Sequence, residues 1–93
     1  MAEFVLYSRN GCCLCEGLEQ RLRGLDLDAL GLVLTVVDID APGTAADVRA
    51  RYDLEVPVLQ IDGRPLPRVS PRLTGENLFN WLQRALSNPP ASD

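Results

Sequence analysis

All three thiols of the chain fall within four positions, at Cys12, Cys13 and Cys15. Cys12 and Cys15 form a C-x-x-C pair, with Cys13 crowded inside it. Three chemistries fit such a cluster: thiol–disulfide exchange, capture of a soft metal ion, or small apolar filler. The chain contains no histidine, which removes the commonest general base and the commonest zinc ligand. Any proton transfer must therefore use a cysteine, a carboxylate, a tyrosine or water.

The flanking segments determine how these thiols are presented. Residues 4–7 (FVLY) form a continuous apolar run, as expected of a strand buried on both faces. Residues 8–11 (SRNG) are turn chemistry. Leu14, Leu18, Leu22 and Leu25 then recur at helical spacing, and Gly24 marks the end of that helix. The cysteines thus sit where a strand hands over to a helix, the edge at which sites gather in β-α units. Unpaired helix amides and a partial positive dipole at that point favour a thiolate over a thiol. Cysteines of C-x-x-C pairs at helix starts ionise at about 3.5–7.5, against about 8.5 for a free cysteine. A thiolate is both the better nucleophile and the better leaving group in disulfide exchange. Arg9 adds a positive charge three residues before Cys12. Cys15, one helical turn further on, can reach back to resolve a mixed disulfide on Cys12. Cys13 points about 100° away from Cys12 on a helix and reads first as a spacer, then as an alternate resolving or glutathionylated thiol. A bridge between adjacent Cys12 and Cys13 would be strained.

Residues 32–40 (LVLTVVDID) read as a second buried strand running into an acidic loop. Asp38 and Asp40 should lie on the same edge as the cysteines. Either is a candidate proton acceptor for Cys15, with solvated loop carboxylates the simpler reading. Thr44 and Asp47 suggest a capped start for a short helix carrying Val48 and Tyr52. Residues 57–61 (PVLQI) form a third strand, beginning at Pro57. Asp62-Gly63 signals a hairpin, and residues 64–69 (RPLPRV) a fourth strand whose two prolines mark an edge. Thr74 opens a closing helix with Leu78, Trp81, Leu82, Ala85 and Leu86 on one face, Trp81 being core. The order is β-α-β-α-β-β-α. Strands joined through a helix are expected to be parallel, with an antiparallel hairpin at the end. The fold class is α/β: a mixed four-stranded sheet flanked by helices on both faces. One domain is expected over residues 1–87, with a flexible tail at 88–93.

A formal net charge of -4 argues against nucleic-acid binding by phosphate neutralisation. The longest apolar stretch, residues 30–37, is far below the roughly 18 residues of a membrane span, so no membrane partner is expected. Strand-like sequence from Glu3 leaves no room for a secretory leader, which makes the cytoplasm the expected location. In that reducing compartment clustered cysteines are more often catalytic or metal-binding than structural. A monomer is expected.

Tyr7-Ser8 followed by the Cys12/Cys15 pair, with Val56-Pro57-Val58 and Asp62-Gly63 downstream, resembles the glutaredoxin and thioredoxin superfamily. Val37-Asp38 after the second strand and Arg51-Tyr52 ahead of Val-Pro most resemble its glutaredoxin-like domains of unassigned function. The likeness runs from Phe4 to Leu86. It implies a thioredoxin-like fold in which Pro57 is cis and lies against the cysteine pair, and the backbone of Val56 pairs with substrate. It also implies Cys12 as nucleophile, Cys15 as resolving thiol, and Arg9 and Arg72 as cations for a substrate anion. No tightly bound cofactor is expected; disulfide-containing proteins or glutathione are the implied partners. Two positions depart from dithiol glutaredoxins. Cys13-Leu14 stands where they resemble Pro-Tyr, and no glycine pair occurs near Leu73-Thr74. The expected function is a small dithiol oxidoreductase. The alternatives are a thiol-based Cu(I) or zinc carrier, and a redox-sensing interaction module.

Overall fold

In the computed structural model, which describes residues 2–87, the apolar run near the amino terminus becomes β1 (Ala2–Ser8). Its residues alternate between two covered faces. Phe4 and Leu6 are fully buried against one layer, while Val5 and Tyr7 point into the other. Such a strand belongs in the middle of a sheet, and β1 is paired on both sides. The remaining strands are β2 (Leu32–Asp38), β3 (Val58–Ile61) and β4 (Arg64–Pro65), in the spatial order β2-β1-β3-β4.

Helices α1 (Cys13–Arg23) and α3 (Gly75–Ser87) cover the Phe4 and Leu6 face. Leu18 and Leu22 of α1 meet Leu78 and Leu82 of α3 there, over Leu32 and Leu59. Trp81 packs against this cluster as core. The short helix α2 (Ala46–Tyr52) lies on the opposite face, where Tyr52 stacks on Tyr7 at 4.8 Å between ring centroids. The architecture is thus the expected mixed four-stranded sheet with flanking helices.

Strand direction departs from expectation in one place. β1 and β2 are parallel, but β3, which follows α2, runs antiparallel to β1. The chain leaving β2 re-enters the sheet at the edge where β2 ends. The register shows it: Ser8 lies opposite Asp38, and Tyr7 opposite Val58.

Local signals met with mixed outcomes. The Asp62-Gly63 turn forms, with φ of 50° and 83° at its two residues, and the Asp62 carboxylate accepts the Glu3 amide at 3.0 Å. β4 is a two-residue exposed edge strand. Thr44 does not cap α2; the capping position is Ala45, with no side-chain bond, and the Thr44 hydroxyl instead donates to the Asp38 carbonyl at 2.7 Å. The buried stripe of α1 runs through Cys15, Leu18 and Leu22. Leu14, on its flank, is 53 % exposed. Between α1 and β2 the chain makes a 3-10 turn at Leu27–Leu30 that periodicity did not signal, started by the Asp26 carboxylate accepting the Ala29 amide. Residues 88–93 lie outside the described residues.

Truncation of Leu22 to alanine is expected to cost about 2–5 kcal/mol, because it empties a fully enclosed position. Leu14→Ala should stay within about 0.5 kcal/mol. Urea unfolding of the reduced protein measures both.

Candidate active site

The turn between β1 and α1 is closed by the Cys12 amide donating to the Arg9 carbonyl at 3.1 Å, with Gly11 at φ 81° making the reversal. Cys12 then takes the helix-capping position in extended conformation, and its Sγ accepts the Cys15 amide at 3.3 Å. Serine or aspartate oxygen usually fills this role. Here a sulfur satisfies one of the unpaired amides of the helix start. Anions are stabilised at such a terminus.

The three thiols are free and differ sharply in surroundings: Cys12 half-buried, Cys13 exposed, Cys15 buried. Burial pushes the Cys15 thiol up to about 11, and its hydrogen bond to Cys12 adds to the rise. The Arg9 backbone and the Ser8 side chain act in the opposite direction on the same thiol. Cys15 is therefore a protonated thiol tucked behind Cys12. Ser8, buried at the carboxyl end of β1 on the α1 side, was not singled out from sequence. Its signal was a small polar residue closing an otherwise apolar strand.

The Val56–Pro57 peptide is cis, at the start of β3 on the cysteine edge. Pro57 lies between two hollows. One, about 40 Å³, joins it to Leu14 and Leu18 of α1 and to Val69 and Pro71. The other, about 180 Å³, lies toward Tyr52 and Leu66. A larger cavity of about 340 Å³ lies at the far end of the sheet, by Ala2, Asp62 and Leu86, and contains none of the candidate site residues. The amide of Val56 is bonded to the Tyr52 carbonyl at 3.2 Å.

Below this edge, Tyr7, Tyr52 and Gln60 form a linked cluster that sequence reasoning missed. Gln60 donates to the Tyr52 hydroxyl at 2.7 Å, and Tyr7 donates to Gln60 at 3.4 Å. Burial, first among several causes, raises the Tyr7 phenol above its ordinary value. The cluster fixes α2 against β1 and β3 beneath Val58.

The charged residues behave differently from expectation. The Arg9 guanidinium binds Asp40 and Asp53 and is no open cation for a substrate. The same bond to Arg9 holds the Asp40 carboxyl below the usual carboxylate range, which makes it a weaker base. Asp38 accepts the Asp40 amide at 2.9 Å and shapes the loop. The groups that act on Cys15 are Cys12, Ser8 and the Arg9 backbone. Arg72 is exposed beside Pro71, its amide bonded to the Ser70 hydroxyl at 3.2 Å. Arg21, which also lines the groove, donates to the Ser70 and Leu73 carbonyls.

In the reduced Cys13→Ser protein, iodoacetamide at about pH 8 is expected to modify Cys12 and spare Cys15. Cys15 should become reactive only as pH approaches about 11. The folded state holds this proton more tightly than the unfolded chain. Its stabilising contribution is therefore complete below pH 9.0 and lost as pH rises toward about 11. Peptide masses after timed alkylation check the first point, and unfolding free energy across that range the second.

Comparison with known proteins agrees with this geometry. No curated protein matches the chain in sequence. The structure is similar to that of thioredoxin O2 from Arabidopsis thaliana in its oxidized state, with a TM-score of 0.57 and 16% identity. That likeness covers 94% of this chain and 74% of the other, and shows a thioredoxin-like fold. No described helix is long and apolar enough to cross a membrane. The model of the Glutaredoxin-like domain (DUF836) matches residues 3–83, and the chain belongs to that family.

Proposed function

We propose that this protein is a small dithiol oxidoreductase that reduces disulfides carried by protein segments. The observation that carries the reading is the unequal setting of the cysteine pair. Cys12 sulfur caps a helix and accepts the Cys15 amide, while Cys15 sits buried and protonated behind it. One thiol is placed to attack and the other to wait.

The Cys12 thiolate attacks a substrate disulfide, forming a mixed disulfide and releasing one substrate thiolate. Cys15 then gives up its proton to that thiolate or to water and attacks the Cys12 sulfur. A Cys12–Cys15 disulfide forms, the second substrate thiolate leaves, and two electrons have passed from the dithiol to the substrate. An external thiol reductant restores the dithiol. Val56 offers its carbonyl to the substrate backbone, in the manner of an added strand.

The groove favours a protein segment over glutathione. The hollow at Pro57 is walled by Leu14, Leu18, Val69 and Pro71, with Arg21 and Arg68 also lining it. Arg9 and Arg21 are engaged with carboxylates and backbone carbonyls, which leaves Arg68 as the cation offered at this hollow. Glutathione, with its two carboxylates, has less to gain there than an apolar peptide. Among the described residues no group of three cysteine or carboxylate side chains is arranged to hold a metal ion.

Cys12→Ser should abolish reduction of a disulfide-linked peptide, and Cys15→Ser should accumulate a mixed disulfide visible by intact mass. A peptide with leucine or valine beside its cysteine should be reduced about tenfold faster than glutathione disulfide at equal concentration, a margin one buried aliphatic side chain supplies. Wild-type protein that neither cycles between dithiol and disulfide in dithiothreitol nor traps a peptide would defeat the proposal.

A further inference from the structure

One guanidinium ties together three segments of the candidate site. Arg9 Nε reaches Asp40 Oδ2 at 2.6 Å, and its Nη2 reaches Asp40 Oδ1 at 3.2 Å. Nη2 also binds the Asp53 carboxylate, and Nη1 donates to the Asp53 carbonyl at 3.0 Å. These anchors lie in the β1–α1 turn, the β2–α2 loop and the carboxyl end of α2. Each leads directly to a group of the site. The Arg9 carbonyl accepts the Cys12 amide, and the Arg9 backbone meets the Cys15 thiol. Asp53 begins the short segment that ends at Val56 and Pro57.

We propose that Arg9 is a positioning residue, whose bracket on Asp40 and Asp53 fixes the distance between the cysteine turn and the Val56–Pro57 segment. The assignment rests on the dithiol reading above and deepens it. A planar guanidinium presents donors along two edges and can hold two carboxylates in fixed directions at once; an ammonium group gives a point charge without that geometry. All three of its nitrogens are engaged, which leaves the side chain to the scaffold. The pairs are partly exposed, at 30% accessibility for Arg9 against 44% and 53% for the two aspartates. Exposed pairs of this kind add little to global stability. What the bracket supplies is registration: a mixed disulfide on Cys12, lying along Val56, must stay in line with Cys15, and small misplacements of reacting atoms are costly in rate.

The test separates the two thiol steps. In a Cys13→Ser background, reduced protein is mixed rapidly with 5,5′-dithiobis(2-nitrobenzoate). The first thionitrobenzoate released reports attack by Cys12; the second reports attack by Cys15 on the mixed disulfide. Arg9→Gln is expected to slow the second release about tenfold or more while the first changes by no more than about threefold. The pH profile of the second release should move to higher pH, because the Arg9 backbone is freed from Cys15. Asp40→Asn and Asp53→Asn, each removing one arm of the bracket, should show smaller losses of the same kind, and Arg9→Lys only partial rescue. Raising salt should slow the second release in the wild type and leave it unchanged in Arg9→Gln. If Arg9→Gln does not fold, the two aspartate variants and the salt series decide. A second release that keeps its rate and pH profile in every folded variant overturns the bracket while leaving the dithiol reading intact. Absence of any second release from the wild type overturns that reading, and the bracket with it.

Discussion

β3 runs antiparallel to β1, so the chain leaving β2 at one edge of the sheet re-enters at that same edge. This single constraint brings Ser8 opposite Asp38 and Tyr7 opposite Val58. It sets Pro57 beside the helix that begins at the cysteines. A β3 parallel to β1 would have started at the far edge and separated the proline from the thiols by the length of the sheet. The stacked Tyr7–Tyr52 pair and its glutamine link hold the short helix in the position that makes this return possible.

At the shared edge, the demands of helix formation and of thiol chemistry coincide. The first turn of α1 has amides in need of acceptors, and the acceptor supplied to Cys15 is the Cys12 sulfur. The same turn rotates Cys15 inward onto the core stripe with Leu18 and Leu22. Capping thus leaves the Cys12 sulfur half-buried at the helix start, and packing withdraws that of Cys15 into the core. The contrast between the two thiols comes from ordinary helix geometry on an ordinary sheet, with Ser8 and the Arg9 backbone as local adjustments.

Charge in this region serves the scaffold more than a ligand. Arg9 spans two aspartates, Arg21 secures the segment before α3 by two carbonyls, and Asp38 shapes the loop that Asp40 closes. What faces the open side between α1 and Pro57 is chiefly apolar, with Leu14 exposed at its rim. The net negative charge of the chain is consistent with a surface that engages its partner through backbone and apolar contacts. The cations at this groove are Arg21, held by backbone carbonyls, and Arg68.

The linear order of residues was enough to set the cysteines at a strand-to-helix junction, to locate the Asp62-Gly63 turn, and to place Leu18, Leu22, Leu78 and Leu82 in the core. Those features depend on local spacing and backbone preference, which a sequence states directly. It did not reveal that Leu14 faces outward, because a stripe's edge is decided by where the helix axis meets the sheet. Nor did it show that Thr44 bonds Asp38 in place of its own helix, or that Asp40 pairs with Arg9. Those pairings join residues about 30 positions apart or compete with a local alternative. Composition and spacing determined that this chain carries a C-x-x-C pair at a helix start in an α/β domain. Only the folded arrangement decided which sulfur is exposed, which charges are spent on the frame, and which face stands beside Pro57, because burial and pairing are properties of neighbours in space.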